Sequence, residues 1–394
     1  MAIESDGSCH IVGFARTPFG KFQGALAKIE PRDLGAMVVD NLLQRLARPD
    51  ATIDALYAGI GMMGGAALAY TRQMLMTTRL PVTTPSLAVD RACCSGMTAL
   101  GMAMKDIRLG EAGLIIAGGF DGLSCTPYLM PRQTSPRPGN PQLDDPLLLR
   151  TPLLDRSISQ YTSDEAMEHG VDRVAQDEWA LRSHQLYFAE QDRGGFDEER
   201  VAVPGALEAD EAPRRDASIE ALQRLKTVYG TPTITPGNAP GLSDGAAFLA
   251  LASGAACAAL GLRSLAEVLD YVQVASGPTS GSYTPALGLG RLLERNALTP
   301  EGLDAIEINE AFAATPLVSL YRLADRDRAR AQALEARTNL RGGAVAIGHP
   351  LGASGGRITM SLMQTLRRRG GGIGAAAICG GFGQGDALLL RVAD

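Results

Sequence analysis

The chain has 394 residues, of which 45% are hydrophobic and 20% are charged, and its formal net charge is −6 at neutral pH. This length allows two or three ordinary domains, and the composition is that of a globular protein rather than a disordered or fibrous one. An acidic balance argues against nucleic acid as the main partner, because phosphate contacts along a nucleic acid need basic stripes.

The sequence predicts neither a membrane span nor a disulfide scaffold. The N-terminal residues lack the basic and apolar regions of a signal peptide, and the uncharged stretch Ala246 to Leu262 is slightly short for a span. We interpret that stretch as a buried strand followed by a buried helix. Six cysteines in so long a chain, without a paired C-x-x-C spacing, predict neither structural disulfides nor a structural zinc. We therefore expect a reducing, cytoplasmic location.

A strand-turn-helix-strand unit is predicted in the first third of the chain. Pro85 to Val89 and Leu114 to Ala117 have the apolar character of buried strands. Between them a helix is predicted from about Ser95 to Arg108, because apolar residues recur three and four positions apart: Met97, Leu100, Met104 and Ile107. Such a unit is the basis of an α/β fold with a covered sheet.

The middle of the chain has a different pattern. Seven prolines from Pro127 to Pro152 oppose regular structure over much of that length. From Asp164 to Lys226 the chain is charged and is predicted to be helical, most clearly from Asp177 to Gln191. We interpret residues 121–245 as an insertion between two similar halves.

The C-terminal end repeats the first arrangement. Strands are predicted at Ala344 to Ile347 and at Ala375 to Ile378, with a helix from about Gly355 to Arg368 between them. Both units have Ser-Gly near the start of the helix and Gly-Gly-Phe at the end of the last strand. We interpret this similarity as an internal duplication; a chance likeness of glycine-rich turns is the alternative.

Two cysteines and a histidine have surroundings that suit catalysis. Cys93 lies where a strand turns into a helix, and the helix dipole there predicts a lowered thiol pKa; a buried structural cysteine is the alternative, and Cys94 is a competing candidate. His349, one of four histidines, is followed by proline and flanked by glycines that allow close approach of a ligand. This setting favours a general base over a core histidine.

Two further segments end apolar runs with polar or glycine-rich residues. Cys379 begins Cys-Gly-Gly-Phe-Gly-Gln-Gly, a loop that either directs backbone N–H groups at a developing oxyanion or makes an ordinary tight turn. Asn309 and Glu310 follow an apolar strand, so this pair is either a helix cap or part of a site.

Taken together, these segments resemble the thiolase family of acetyl-CoA acetyltransferases and 3-ketoacyl-CoA thiolases. Val-Asp-Arg-Ala-Cys-Cys-Ser-Gly, Asn-Glu-Ala-Phe, Gly-His-Pro-Leu-Gly-Ala-Ser-Gly and Cys-Gly-Gly-Phe-Gly-Gln-Gly occur in the order of that family. Further matching segments begin at Ala15, Gln176 and Gly237. The resemblance therefore covers nearly the whole chain.

The resemblance implies a duplicated α/β fold, with two mixed-sheet halves in α-β-α-β-α layers. Residues 1–120 with 246–268 would form the N-terminal half and residues 269–394 the C-terminal half. Residues 121–245 would form an inserted loop domain that binds CoA and makes oligomer contacts. A homodimer or homotetramer is implied.

The resemblance also implies a reaction, either cleavage of 3-ketoacyl-CoA by CoA or the reverse Claisen condensation, with a place in fatty acid metabolism and β-oxidation. Cys93 would be the acylated nucleophile, His349 its base and Cys379 the acid and base for the α-carbon. Asn309 would hold a water that, with His349, stabilises the thioester enolate. The backbone N–H groups of Cys93 and Gly381 would form a second oxyanion hole.

No metal or organic cofactor is implied, since the thioester acidifies its own α-carbon and coenzyme A is a substrate. Acyl-CoA and CoA are the expected partners, without nucleic acid or membrane. We expect contacts to the substrate or to CoA from four further residues: Lys226, Gly237, Asn238 and Phe312.

Several positions depart from the usual pattern of the family and leave the acyl specificity open. They are Asp90, Cys94, Pro240 and the segment Ser157-Ile158-Ser159. A ketoacyl synthase is one alternative, although it needs a second late histidine or an asparagine after the histidine. A non-catalytic carrier of acyl-CoA or lipid on the same fold is the other, although it is expected to lack part of the catalytic set.

Overall fold

A computed structural model describes residues 7–48, 51–63, 68–130, 139–151 and 155–393. The strands are β1 (His10–Arg16), β2 (Gly20–Lys21), β3 (Ala55–Gly59), β4 (Ser86–Val89), β5 (Leu114–Gly122), β6 (Arg150–Thr151), β7 (Arg156–Ser157), β8 (Ser243–Ala252), β9 (Ala266–Ala275), β10 (Ala305–Ile308), β11 (Gly372–Gly380) and β12 (Gln384–Val392). The helices are α1 (Pro31–Leu46), α2 (Tyr70–Met76), α3 (Ser95–Arg108), α4 (Ile158–Glu168), α5 (Arg173–Gln191), α6 (Ile219–Gln223), α7 (Gly254–Leu260), α8 (Thr284–Arg295), α9 (Ala314–Leu323), α10 (Arg328–Glu335), α11 (Ala344–Ile347) and α12 (Leu351–Arg368).

The main sheet has two halves with the same internal order. In the first half β3 runs parallel to β5, which pairs antiparallel with β8, which pairs antiparallel with β1. In the second half β10, β11, β12 and β9 repeat this parallel-antiparallel-antiparallel order. The halves join where β1 and β9 pair at only two positions, His10 with Glu267 and Ile11 with Ala266. This repeat confirms the predicted duplication.

The helices and the sheet halves form five layers. Helix α1 packs on β8 and β1 at one outer face, and α8 packs on β12, β9 and β11 at the other. Helices α3 and α12 lie between the halves, because each contacts strands of both. Separate apolar clusters fill the middle and the two outer interfaces. The α-β-α-β-α arrangement is therefore confirmed.

Helices α3 and α12 approach each other closely near their N-terminal ends. A Cβ atom at Gly96 would lie 2.1 Å from the carbonyl oxygen of Gly352, and one at Gly355 would lie 2.3 Å from the backbone nitrogen of Met97. Any side chain at these positions would push the helices apart, because close-packed interiors have no room for it. The glycines thus bring together the segments that precede the two helices.

The strand predicted at Ala344 to Ile347 is wrong, because these residues form the single helical turn α11. The Glu310 carboxylate accepts a hydrogen bond from the Val345 N–H at 2.9 Å, and Ser183 Oγ accepts one from the Gly343 N–H at 2.9 Å. These partners satisfy N–H groups that a helix start leaves unpaired. Gly348, with φ of 111°, then ends the turn. A short apolar run does not by itself distinguish helix from strand.

The prediction for Ala246 to Leu262 is confirmed for the strand but not for the helix. Strand β8 is completely buried, but α7 has no buried residue, so the expectation of a buried helix is wrong. None of the helices in the described ranges is long and apolar enough to cross a membrane.

Other boundaries also differ from the expectation. Helix α12 begins at Leu351 rather than at about Gly355. Residues 192–218, which lie within the segment from Asp164 to Lys226 predicted to be helical, form no helix. The proposed limit of the N-terminal half at residue 268 falls inside β9, which pairs with β12 along most of its length. The break between the halves therefore lies before Ala266.

Candidate active site

Cys93 follows a turn that is held in an unusual conformation. Ala92 has φ of 50°, which is costly for a residue with a side chain. The Asp90 side chain accepts a hydrogen bond from the Ala92 N–H at 3.0 Å, and Ser95 Oγ donates to the Ala92 carbonyl oxygen at 2.5 Å. These bonds hold the turn just before α3 begins.

The two neighbouring cysteines point to different places. Cys94 is completely buried, and its Sγ lies 3.6 Å from the Ile378 carbonyl oxygen. Cys93 is partly exposed and lines two adjoining cavities. A ligand in either cavity therefore meets the thiol of Cys93, whereas Cys94 fills the core.

Cys93 lies where the two cavities meet. The first, of about 220 Å³, is mostly apolar and also contains Cys379 and Gly381. The second, of about 280 Å³, also contains His349. Phe312 lines both. Cys93 thus shares the first cavity with a second thiol and the second cavity with an imidazole.

A third cavity continues the second one toward the surface. It has a volume of about 370 Å³ and is lined by Lys21, His184 and Arg214 among others. It shares four lining residues with the second cavity: Pro236, Ala239, Gly241 and Leu242. The two form a channel that leads from basic residues to Cys93 and His349.

Hydrogen bonds on the far side of the ring fix the tautomer of His349. Its Nδ1 lies 2.6 Å from Ser354 Oγ, and Ser354 Oγ donates its hydrogen to the Pro350 carbonyl oxygen at 2.8 Å. The hydroxyl therefore accepts a hydrogen bond from Nδ1–H, which leaves Nε2 as the unprotonated nitrogen. The His349 backbone N–H donates to Ser243 Oγ at 3.1 Å and holds the residue in place.

Burial keeps both His349 and Cys93 neutral. Burial lowers the pKa of His349 to about 3, and the Arg357 guanidinium acts in the same direction. Burial also raises the pKa of the Cys93 thiol, with Cys379 and Asp121 adding to the effect. The expectation of a lowered Cys93 pKa is therefore wrong, since burial outweighs the backbone hydrogen bond at the helix start. The pair is a neutral thiol and a neutral base.

Cys379 is also a protonated thiol at neutral pH. It lies in β11, and burial raises its pKa to about 12, with the Glu165 carboxyl acting in the same direction. Gly381 and Phe382 follow in a turn where Phe382 has φ of 61°. This turn and Cys379 together form one wall of the first cavity.

Asn309 and Glu310, at the end of β10, have different roles: Asn309 contacts His349, whereas Glu310 stabilises the fold. Asn309 Nδ2 lies 3.4 Å from His349 Nε2, and Arg357 Nη2 lies 3.5 Å from Asn309 Oδ1, both at the long end of hydrogen-bonding distances. Among the described residues, Glu310 accepts hydrogen bonds from structural groups, including Trp179 Nε1 at 2.9 Å and the start of α11.

Comparison with known proteins identifies the family. Residues 9–255 match the family model described as thiolase, N-terminal domain, and residues 262–392 match thiolase, C-terminal domain. The chain belongs to the thiolase family. This confirms the resemblance seen in the sequence, and the thiolase family consists of acyltransferases that act on CoA thioesters.

Relatives and solved structures agree over the full length. This thiolase is 36% identical to the β-ketoadipyl-CoA thiolase of Pseudomonas knackmussii, over 97% of this chain and 98% of that protein. It is 35% identical to the acetyl-CoA acetyltransferase of Cupriavidus necator, over 97% and 98% of the two chains. The crystal structure of human mitochondrial 3-ketoacyl-CoA thiolase in complex with CoA has a TM-score of 0.92 and 29% identity, covering 100% of both chains.

The residues expected to contact CoA or substrate lie in three different settings. Phe312 lines both catalytic cavities and Gly237 lines the third. Lys226 is exposed beside Leu225, which lines the third cavity. Asn238 is fully buried, and its amide donates to Asp177 Oδ1 at 3.0 Å, which gives it a structural role instead.

The positions that depart from the family pattern have distinct effects. Asp90 stabilises the turn before Cys93, and Cys94 fills the core. Ser157 caps α4 through a hydrogen bond from the Gln160 N–H. Pro240, Ile158 and Ser159 line the second cavity, so these residues shape the space available to a ligand.

Four residues at the site were not predicted from the sequence. Ser354 and Arg357 follow His349 on α12 three positions apart, a spacing that could have indicated a shared face. Asp121 accepts hydrogen bonds from the backbone N–H groups of Gly61, Met62 and Gly352 at 2.9, 3.1 and 2.5 Å, and burial raises its pKa to about 7. Glu165 shows no such pattern, because only the fold places it near Cys379.

The described ranges contain no group of three or more His, Cys, Asp or Glu residues that could hold a metal ion. The side chains that line the two cavities at Cys93 are instead thiols, an imidazole, hydroxyl groups and apolar groups.

We expect alkylation of Cys93 by iodoacetamide to accelerate with pH up to and beyond 9.0, the ordinary pKa of a cysteine thiol. The reason is that the thiolate is the nucleophile and burial raises the pKa of this thiol. Mass spectrometry of the modified peptide at a series of pH values measures the rate, and a Cys93→Ser variant identifies the signal. A rate that is already constant around neutral pH would instead show a thiolate–imidazolium pair.

Proposed function

We propose that this thiolase forms an acyl-enzyme on Cys93, either while cleaving 3-ketoacyl-CoA with CoA or in the reverse Claisen condensation. The position of Cys93 at the junction of two cavities, one shared with Cys379 and the other with His349, supports this most directly. Two thiols serve two purposes, because acylation consumes the first. The family matches along the chain favour this function over a ketoacyl synthase or a non-catalytic carrier.

Cleavage begins with attack on the 3-keto carbon. His349 Nε2 takes the proton of Cys93 as Sγ bonds to this carbon, and the two neutral groups need no prior ionisation. The backbone N–H groups of Cys93 and Gly381 would stabilise the oxyanion. The bond between C2 and C3 then breaks, leaving an acyl thioester on Cys93 and the enolate of acetyl-CoA.

The enolate requires donors and a proton. Protonated His349 and the amide of Asn309 are the donors for its thioester oxygen, directly or through a water, and removal of one such donor costs about 3 kcal/mol. Cys379 supplies the proton to the α-carbon. Its thiol remains protonated at neutral pH, because burial raises its pKa to about 12.

The second half of the reaction restores both thiols. The incoming CoA thiol gives its proton to the Cys379 thiolate and attacks the acyl thioester on Cys93. Acyl-CoA leaves, and Cys93 recovers its proton from His349. In condensation the same groups act in reverse, with the Cys379 thiolate taking the α-proton. The chemistry proposed requires neither metal nor organic cofactor.

The channel formed by the second and third cavities suits CoA. Lys21 and Arg214 line its outer part, where they would meet phosphate groups, and Gly241 and Leu242 line the passage toward Cys93. The human thiolase structure with bound CoA covers the whole of this chain. We assign the channel to CoA and the first cavity to the acyl group.

The first cavity favours uncharged acyl groups. Its lining includes Met62, Leu149, Tyr161 and Phe312, and no Lys or Arg is among the described residues of either catalytic cavity. A carboxylate buried there without a cation would be costly. We therefore propose simple 3-ketoacyl groups as substrates and place the enzyme in fatty acid breakdown. The six free cysteines favour the cytoplasm.

A homodimer is proposed from the edge of the sheet. Strand β4 is the last strand of the sheet, beside β3, and it has the exposed Leu87. Val82 and Met76 are also exposed nearby, with 63% and 62% of their surface accessible. An apolar edge strand invites pairing with a second chain. Because β4 leads directly into the Cys93 turn, such pairing would also stabilise the site.

Replacement of Cys93 by alanine should abolish thiolysis of a 3-ketoacyl-CoA while the circular dichroism spectrum stays unchanged. The reason is that no other thiol lies at the junction of the two cavities in the described structure. Intact-protein and peptide mass spectrometry after incubation with acyl-CoA should place the acyl group on Cys93. Cys94→Ala is the matched control and should keep the adduct; an adduct on Cys94 alone would refute the assignment.

Two substrates that differ only at the far end test the acyl preference. We expect kcat/KM for 3-oxohexanoyl-CoA to exceed that for β-ketoadipyl-CoA, which has a terminal carboxylate in place of the methyl group, by roughly 10²-fold. This factor corresponds to about 3 kcal/mol for burying an unpaired charge. Equal values for the two substrates would show that a cation reaches the acyl cavity.

Light scattering should give a mass of about twice the 41.3 kDa of one chain or a multiple of it. Leu87→Lys should lower that mass toward one chain, because a charge on the edge strand opposes pairing. Lys28, which is exposed and lies outside β4, provides a control as Lys28→Ala. A monomeric parent protein would contradict the proposal.

A further inference from the structure

Beside Asn309 lie two buried ionisable residues whose hydrogen bonds are incomplete. Arg357 and Glu307 are each 1% exposed. Within the described structure, the Nε and Nη1 atoms of Arg357 and the Oε2 atom of Glu307 have no hydrogen-bond partner. Burying charges in this way costs free energy, so their presence beside a catalytic candidate requires an explanation.

One face of α12 supports both His349 and Asn309. Ser354 and Arg357 are three positions apart on this helix, so their side chains lie on the same face. Ser354 Oγ contacts His349 Nδ1 at 2.6 Å, and Arg357 Nη2 contacts Asn309 Oδ1 at 3.5 Å. Helix α12 thus contacts Nδ1 of His349 and Oδ1 of Asn309, and it leaves His349 Nε2 and Asn309 Nδ2 for the reaction.

Glu307 belongs to the same arrangement. It precedes Asn309 by two residues on the chain that forms β10, and a strand directs alternate side chains to the same face. The Arg357 guanidinium opposes the effect of burial, which raises the pKa of Glu307 to about 8. With a pKa of about 8 the Glu307 carboxyl is mostly protonated at neutral pH, so it does not by itself neutralise the buried guanidinium of Arg357.

We propose that Arg357 is a positioning residue that sets the direction of the Asn309 side-chain amide. A guanidinium only donates hydrogen bonds, so the atom of Asn309 that faces it must be the carbonyl oxygen. Both amide N–H groups are then left for the side of His349. This inference rests on the proposed function, in which Asn309 provides a donor to the thioester oxygen.

The opposite direction of the amide would work against the reaction. A flipped Asn309 would turn its carbonyl oxygen toward the enolate oxygen and its N–H groups toward the guanidinium. Both contacts would be repulsive, one between two acceptors and the other between two donors. Arg357 therefore disfavours the flipped form without touching the substrate.

A double-mutant cycle separates this role from a merely structural one. Arg357→Met should lower kcat of thiolysis by about 10²-fold, the effect of losing one oxyanion donor, with little change in KM for CoA. In an Asn309→Ala background the same Arg357→Met change should alter kcat by no more than about threefold, because no amide remains to be oriented. Arg357→Lys, which still donates, should recover most of kcat.

Each outcome of the cycle decides a separate point. Equal fold losses from Arg357→Met in both backgrounds would overturn the positioning role. If Asn309→Ala alone leaves kcat unchanged, Asn309 is not a donor and the proposed function fails at that residue. Should Arg357→Met not fold, as judged by circular dichroism, Arg357→Gln takes its place in both backgrounds. A loss of kcat confined to the Asn309 background then supports the proposal, and equal losses overturn it.

Discussion

The close approach of α3 and α12 is the constraint on which the site depends. Each helix is preceded by one partner of the proposed proton transfer, Cys93 or His349, and these segments come from opposite halves of a duplicated sheet. Contact between backbones at Gly96 and Gly355, where a Cβ atom would lie 2.1 or 2.3 Å from backbone atoms, brings the two segments together. A side chain there would separate the thiol from its base.

Burial then determines the chemistry available at this meeting point. It lowers the pKa of His349 to about 3 and raises that of Cys379 to about 12. The site therefore holds a neutral nucleophile that shares one cavity with a neutral base and the other with a neutral acid. Such a site suits a reaction in which charge appears only during bond making and breaking, when preorganised donors stabilise it.

Polar groups that contact His349 and Asn309 orient the imidazole and the side-chain amide of these residues. Ser354 leaves Nε2 of His349 unprotonated, and we propose that Arg357 turns the N–H groups of Asn309 toward the same nitrogen. Both supports come from one face of α12. The helix that brings the two halves together is thus also the element that orients their side chains.

The sequence by itself determined the family, the duplicated α/β fold and the candidate residues, because motifs in a fixed order and apolar periodicity are local properties. It did not distinguish helix from strand at Ala344 to Ile347, where a carboxylate from Glu310, distant in sequence, stabilises the helical turn. Nor did it give the raised pKa of Cys93 or the core position of Cys94. Only the tertiary structure decided these, since burial and long-range hydrogen bonds depend on which segments pack together.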